Sequence, residues 1–459
     1  EDISRLGQDF RLMFDAVINH ASVGHEWFQG FLRDDPRYQE YFVVVEGSPD
    51  LSQVVRPRAL PLLTTFETTS GPKQVWTTFS ADQVDLNFKN PDLLLEIVDT
   101  LLFYVSQGAA LIRLDAIAYM WKENGTTCIH LPQTHRIIQL FRSMLDQVAP
   151  QVLLITETNV PHVDNISYFG NGDNEAQMVY NFALPPLVLH TLQTGNSRVL
   201  AEWAARLKLP SRRTTFFNFL ASHDGIGVNP ARGILPEAEI DAMVERILQH
   251  GGLVSYKHVA GGAQIPYELN INYFDALSDP KSGEPLEVQI DRFIAAQAIM
   301  LALVGVPGIY VHSLFGSRSW HAGVQLTGRN RTINRQKFDL QALEHELSDE
   351  SSLRHQVFHR YSQLLSARSA SAAFHPYGEQ QVLDAGSAVF ALLRRSPDSA
   401  GQVLCLQNIS NQAAQVRVNL QGINGVPLPH LTDLITGQGS YDVQQGNLVL
   451  APYETLWLR

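Results

Sequence analysis

Six short runs of apolar, branched residues, each closing on a polar or charged tip and followed by helical periodicity, govern what this chain can fold into. They are 11–19 (RLMFDAVIN), 109–115 (AALIRLD), 152–157 (VLLITE), 177–182 (QMVYNF), 214–223 (TTFFNFLASH) and 305–312 (GVPGIYVH). A strand that is apolar on both faces belongs in a parallel sheet covered by helices, whereas a strand with one wet face alternates. The repeat therefore predicts an α/β fold, a parallel β/α barrel, with its chemistry at the strand ends.

Two connections exceed a simple crossover. Residues 21–90 separate the first strand from a helix predicted over 91–106 and carry Pro36, Pro49, Pro57, Pro61, Gly71 and Pro72, so they read as an inserted irregular subdomain B shaping a substrate site. Residues 252–290, with two Gly-Gly pairs and Pro266, form a second excursion near the strand ends. After a helix expected over 340–368, short alternating strands at 389–393, 403–407, 415–418 and 448–450 predict a C-terminal antiparallel β domain over 371–459. The catalytic barrel is then expected over 1–20 and 91–370.

A chain of 459 residues, 45% hydrophobic, can bury a large core. With 34 Lys plus Arg against 46 Asp plus Glu, a net charge of -12 and no basic run, nucleic acid is not an expected partner. The substrate is expected to be neutral or held by local basic groups. Cys128 and Cys405, far apart and without metal-site spacing, fit a reducing compartment, and cytoplasm is the expectation. The longest apolar run, 295–304, is interrupted by Gln297 and falls short of the roughly 20 residues that cross a bilayer, so it predicts a buried helix rather than a membrane span. A monomer or homodimer is expected.

Three of the strand ends carry acids: Asp115 in LIRLDA, Glu157 in LLITET and Asp224 in ASHDG. Any one alone is more often a helix cap or loop hydrogen-bond acceptor than a catalytic group. In a closed barrel, however, all such ends open into one mouth, so acids distant in sequence converge. Retaining glycoside cleavage needs one carboxylate to attack the anomeric carbon and another to protonate the leaving oxygen, and Asp115 and Glu157 suit those roles. Arg113, two residues before Asp115, shares its side of the strand and offers a fixed cation. Asp15, His20 and His223 are candidate substrate contacts, the histidines as donors to sugar hydroxyls.

Taken together, DAVINH at 15–20, LIRLDA at 111–116, Glu157 in ITET and SHDG at 222–225 resemble, in order, the motif regions of glycoside hydrolase family 13, the α-amylase family. The resemblance implies a (β/α)8 TIM barrel with a domain inserted after the third strand and a C-terminal β domain. It also implies Asp115 as nucleophile, Glu157 as general acid/base and Asp224 as the transition-state-stabilising carboxylate. In the family DAVINH ends the third strand; here it starts at residue 15, so the first two β/α units have no counterpart in this chain.

RPRALPLLTTFE, VWTTFSADQVDLNF, GTTCIHLPQTH, QMVYNFALPPL, SHDGIGV and PYELN look like the sucrose-phosphorylase subgroup, which passes a glucosyl group to inorganic phosphate. That likeness implies Phe79 as an aromatic wall, Gln83 as a polar acceptor contact, Arg58 and Tyr267 as loop residues holding phosphate or acceptor, and Arg335 as a glucose contact. It implies no metal or organic cofactor, with inorganic phosphate as co-substrate. Glu268 stands where sucrose phosphorylases typically carry glutamine, and the acceptor stays open among fructose, fructose 6-phosphate, glycerol and glycerate. Lys257 and His258 lie in the loop where extra cations would serve a charged acceptor, or are plain surface charges. A retaining α-glucosyl phosphorylase is the expected activity; a hydrolase or transglucosylase with the same carboxylates, or an inactive remnant, are the alternatives.

Overall fold

The structure is a computed structural model that describes residues 2–57, 60–258, 263–416, 418, 431–441, 443 and 448–459. Each apolar run supplies a strand: β1 (Leu12–Val17), β2 (Ala109–Asp115), β3 (Leu153–Glu157), β4 (Met178–Tyr180), β5 (Thr215–Asn218) and β6 (Val306–Pro307). The chain divides into two compact units, Glu1–Tyr180 with Leu209–Thr214 and Tyr256–Tyr267, and Asn181–Lys208 with Thr215–Ser255 and Glu268–Arg459.

In the first unit β1 to β4 run parallel in chain order. Side chains alternate along a strand, so β2 sends Ile112 and Leu114 into the core and Arg113 and Asp115 to the opposite face. Register places Asp15 beside Arg113 and Asp115 beside Glu157. The helix α1 (Pro91–Ser106) starts where the sequence says it should: the Asn90 side chain accepts from the Asp92 and Leu93 N–H groups, and Pro91 occupies a first-turn position that needs no donor.

The segment between β1 and α1 is more regular than its prolines suggest. Leu63–Thr68 and Gly71–Trp76 form an antiparallel hairpin, with Val44–Val45 on its other side, and His20–Ser22 pairs with Gln83–Asp85. Phe28, Phe31, Phe42 and Phe66 pack edge-on or stacked to give this segment its own core. Its prolines mostly flank these strands, while β-branched threonines and valines within them supply the pairing surface.

In the second unit β5 and β6 are parallel neighbours, both shorter than the runs that predict them. The run at 305–312 yields a two-residue strand and then a turn into the helix Val311–Leu314, so His312 is helical. Pro307 lacks an N–H for further pairing. Gly305, at φ +139°, fits because a Cβ there would meet Phe216 O and the Asn218 amide at 2.7 Å. The helix expected over 340–368 is two, Leu340–Ser348 and α2 (Leu353–Ser369), the second capped by Ser352, whose side chain accepts from His355 N–H.

The apolar run around Gln297 lies in the helix α3 (Leu286–Ala302), buried along most of its length, and Gln297 Oε1 accepts from the Tyr361 hydroxyl at 2.8 Å. Each large aliphatic side chain it buries contributes about 2 kcal/mol. Its C-terminus is covered by two arginines: Arg394 donates to Ala302 O at 2.8 Å and Arg368 to Leu301 O at 3.0 Å. Arg394 lies on the antiparallel C-terminal sheet β7 (Glu379–Leu383), β8 (Val389–Arg395), β9 (Gln402–Asn408), β10 (Thr455–Leu458). No helix among the described residues is long and apolar enough to cross a membrane.

Candidate active site

One guanidinium organises the strand ends of the first unit. Arg113 donates to Asp15 Oδ1 at 2.7 Å and to Asp115 Oδ2 at 2.5 Å, lies 3.9 Å from Glu157 Oε1, and donates through Nε to the Tyr180 hydroxyl at 3.1 Å. Burial alone would make Arg113 easier to deprotonate, but the charges of Glu157, Tyr180, Asp115 and Asp15 outweigh it and push its pKa up. Tyr180 is pushed up to about 12 by burial, with the Glu157 charge adding to it and Arg113 opposing. Directly after Asp115 the backbone turns left-handed at Ala116 (φ 53°), whose N–H donates to Glu157 Oε2 at 3.4 Å. The structure thus brings Asp15, Arg113, Asp115 and Glu157 together.

His20, Gln83 and Phe79 form a second group in the same unit. The Gln83 amide nitrogen lies 2.7 Å from His20 Nε2, and the Phe79 ring sits 5.3 Å from the His20 ring and edge-on to Tyr119 at 5.4 Å. Burial lowers the His20 pKa against the pull of Asp85 and Asp115, so the imidazole is neutral near pH 7. Beneath it runs a buried polar network. Lys122 Nζ is 2.6 Å from Asp85 Oδ2 and donates to Asn19 Oδ1 at 3.1 Å, while Asp85 accepts from the N–H and hydroxyl of Thr78. Sequence reasoning passed over Asp85, Lys122 and Tyr180; the first and last lie inside quoted motifs, while Lys122 follows LIRLDA by six residues and carried no signal.

Asp224 belongs to the second unit and sits in the loop after β5. Its N–H donates to Ser222 Oγ at 3.1 Å, and the Asn334 amide donates to the carbonyls of Ser222 and Asp224 at 3.1 and 2.7 Å. The glycine of SHDG is explained by crowding: a Cβ on Gly225 would lie 2.5 Å from Leu269 O and 2.7 Å from Glu268 Cγ, because Gln264–Asn270 pairs with Ile226–Gly227 at this point. The Asp224 carboxylate pairs with Arg331 and, at 3.1 Å, with Arg335, whose Nε donates to His223 O at 2.5 Å. His223 Nε2 is 3.8 Å from Asp224 and its side chain is about half exposed. Arg331, four residues before the arginine that the sequence singled out, is also forked on the buried carboxylate of Glu268 through Nε (2.9 Å) and Nη2 (2.5 Å).

Tyr267 lies on Gln264–Asn270 with Lys257 Nζ 5.9 Å from its ring centroid, so Lys257 has an aromatic partner. Arg58 lies outside the described residues. Among the described residues no group of three or more His, Cys, Asp or Glu is placed to hold a metal ion.

Residues 5–225 match the family of the alpha-amylase catalytic domain. The chain is 53% identical over 463 residues to the glucosylglycerate phosphorylase of Spirochaeta thermophila, covering 100% of this chain and 78% of that protein. The chain belongs to the α-amylase family. Within glycoside hydrolase family 13 its relatives are sucrose-phosphorylase-like. The glucosylglycerate phosphorylase of Escherichia coli is 47% identical over 460 residues, covering 100% of this chain and 80% of its own length. The sucrose phosphorylase of Bifidobacterium adolescentis is 27% identical over 372 residues, covering 76% and 69%. Among solved structures, the sucrose 6F-phosphate phosphorylase of Thermoanaerobacter thermosaccharolyticum superposes with a TM-score of 0.76 at 23% identity, covering 89% of this chain and 81% of that one. The likeness shows the fold: the TIM barrel of the α-amylase family with its C-terminal antiparallel sheet.

Proposed function

We propose that this α-amylase-family chain is a glucosylglycerate phosphorylase, converting glucosylglycerate and inorganic phosphate to α-glucose 1-phosphate and glycerate. The enzyme class itself, a glycosyltransferase-type phosphorylase of α-glucosides, is carried by the curated relatives. The acceptor rests on one observation: identity is 47–53% with three glucosylglycerate phosphorylases and 25–28% with relatives that are sucrose, sucrose 6(F)-phosphate or glucosylglycerol phosphorylases.

In this reading Asp115 attacks the anomeric carbon as Glu157 protonates the glycosidic oxygen, so glycerate leaves and a glucosyl ester forms on Asp115. Phosphate then attacks the same anomeric carbon, passes its proton to Glu157 and displaces the Asp115 carboxylate as the C1–O bond of the ester breaks, with net retention. The register supports the pair. Adjacent strands end on Asp115 and Glu157, so the two side chains start from neighbouring strand ends and are available to one anomeric centre. Asp224 takes the role of the carboxylate that stabilises positive charge on the glucosyl ring. Asp15, His20 and His223 contact sugar hydroxyls, Arg335 the glucose, Phe79 walls the ring, and Gln83, Arg58 and Tyr267 face the acceptor or phosphate. No organic or metal cofactor takes part, and the barrel, subdomain B and β-domain boundaries read from the sequence are kept.

The test offers α-glucose 1-phosphate with glycerate, glycerol, fructose or fructose 6-phosphate and follows phosphate release. Glycerate should be used with a kcat/KM at least about tenfold above glycerol and fructose, since a site built for a carboxylate leaves its polar groups unpaired with neutral acceptors, and it should also be preferred to fructose 6-phosphate. Preference for any other acceptor overturns the reading. Cleavage of glucosylglycerate without phosphate, at the rate seen with it, would instead indicate a hydrolase.

A further inference from the structure

We infer that Glu268 is a positioning residue, acting on Asp224 through Arg331. Glu268 is 1% exposed, so it is out of reach of a ligand, yet a buried carboxylate is costly unless fully paired. Both its oxygens are taken by one side of the Arg331 guanidinium, and the remaining terminal nitrogen, Nη1, pairs with Asp224. The guanidinium is planar and its donors are fixed in a fork, so anchoring Nε and Nη2 sets the direction in which Nη1 points. The absence of a Cβ on Gly225 lets Glu268 lie directly behind the Asp224 loop.

The arrangement also divides charge. Asp224 faces two arginines, Arg331 and Arg335. Without Glu268 the full charge of Arg331 would fall on Asp224 and offset the negative field that a developing glucosyl cation requires. With Glu268 in place, Arg331 is shared and Asp224 keeps that field. The inference deepens the proposed function and takes the role of Asp224 from it.

The experiment compares Glu268→Gln, Arg331→Gln and the double variant. With Glu268→Gln, kcat for α-glucose 1-phosphate plus glycerate should fall about 10- to 100-fold while KM for α-glucose 1-phosphate changes less than about threefold. The double variant removes one charge of each sign, so it should recover at least about fivefold in kcat over Glu268→Gln alone, a coupling that simple loss of packing would not produce. Glu268→Asp, which keeps the charge, should retain more activity than Glu268→Gln. A Glu268→Gln enzyme within about threefold of the parent, or a double variant no better than Glu268→Gln, overturns the inference. A second readout needs no turnover: carbon-13 NMR titration of the Asp224 carboxyl. Its midpoint should move to lower pH in Glu268→Gln, because the offsetting negative charge is gone, and an unmoved midpoint overturns the inference. Failure of the parent enzyme to use glycerate would sink the acceptor reading while leaving this titration decisive for Glu268.

Discussion

Asp115 and Glu157 share one rung of a parallel sheet, each the last residue of its strand, and the N–H immediately after Asp115 donates to Glu157. The ladder that ends on them fixes the backbones from which the two carboxylates start.

Replacing Glu157 by Gln should therefore leave the rung intact and remove only its proton. We expect kcat with glucosylglycerate to fall about 10²- to 10⁴-fold, the usual weight of a general acid. A donor whose leaving group needs no protonation, such as α-glucosyl fluoride, should still load Asp115. Mass spectrometry of the peptide carrying Asp115 reads the adduct, and its absence would count against Asp115 as nucleophile.

Gly225→Ala should damage catalysis by displacing Asp224. The new methyl would meet the Leu269 carbonyl, a backbone atom that cannot swing aside. We expect a stability loss of about 1–3 kcal/mol by denaturant titration. The fall in kcat should be larger than in Gly233→Ala, a positive-φ glycine with open space around it.

Among the described residues five histidines, His20, His130, His162, His190 and His312, have their pKa lowered, in each case chiefly by burial. A base that resists protonation when folded contributes stability that is present above its unfolded pKa, near 6.5, and is lost as pH falls through the folded value. The unfolding midpoint should be level from about pH 8 to 7 and decline below about 6.5. His162, for which burial is the sole cause, offers the clean check: His162→Gln should flatten that decline in calorimetry at pH 7 and 5.5.

Arg394→Met should destabilise the protein by about 3–5 kcal/mol, because it strips donors from three carbonyls, of Ala302, Glu379 and His375, in a buried setting. Burial pushes the Arg394 pKa down to about 10, still above the working range, so the loss should be the same at pH 6 and pH 8 in urea titrations.

What the sequence disclosed was local. Continuous apolar runs marked all six core strands, and their final residues marked Asp115 and Glu157, because position on a strand is a property of neighbours in the chain. Asn90 and Pro91 gave the start of α1 for the same reason. The partners of these residues were not legible. Lys122 meets Asp85, and Arg331 meets both Asp224 and Glu268, across separations that only the finished fold closes. The hairpin Leu63–Thr68 to Gly71–Trp76 was hidden because prolines dominated the reading of 21–90, although Ser70-Gly71 sits at its turn. His312 was assigned to a strand because an apolar run cannot show where Pro307 and Gly308 end pairing.

The Lys122–Asp85 pair has a bearing on ionic strength. Both side chains are at most 5% exposed, so dissolved ions cannot come between them, whereas a pair such as Arg37–Glu96 at the surface is open to screening. Brine should also relieve the mutual repulsion within a chain of net charge -12. The floor beneath His20 is thus ground that concentrated electrolyte leaves untouched, even as outer ion pairs such as Arg37–Glu96 dissolve.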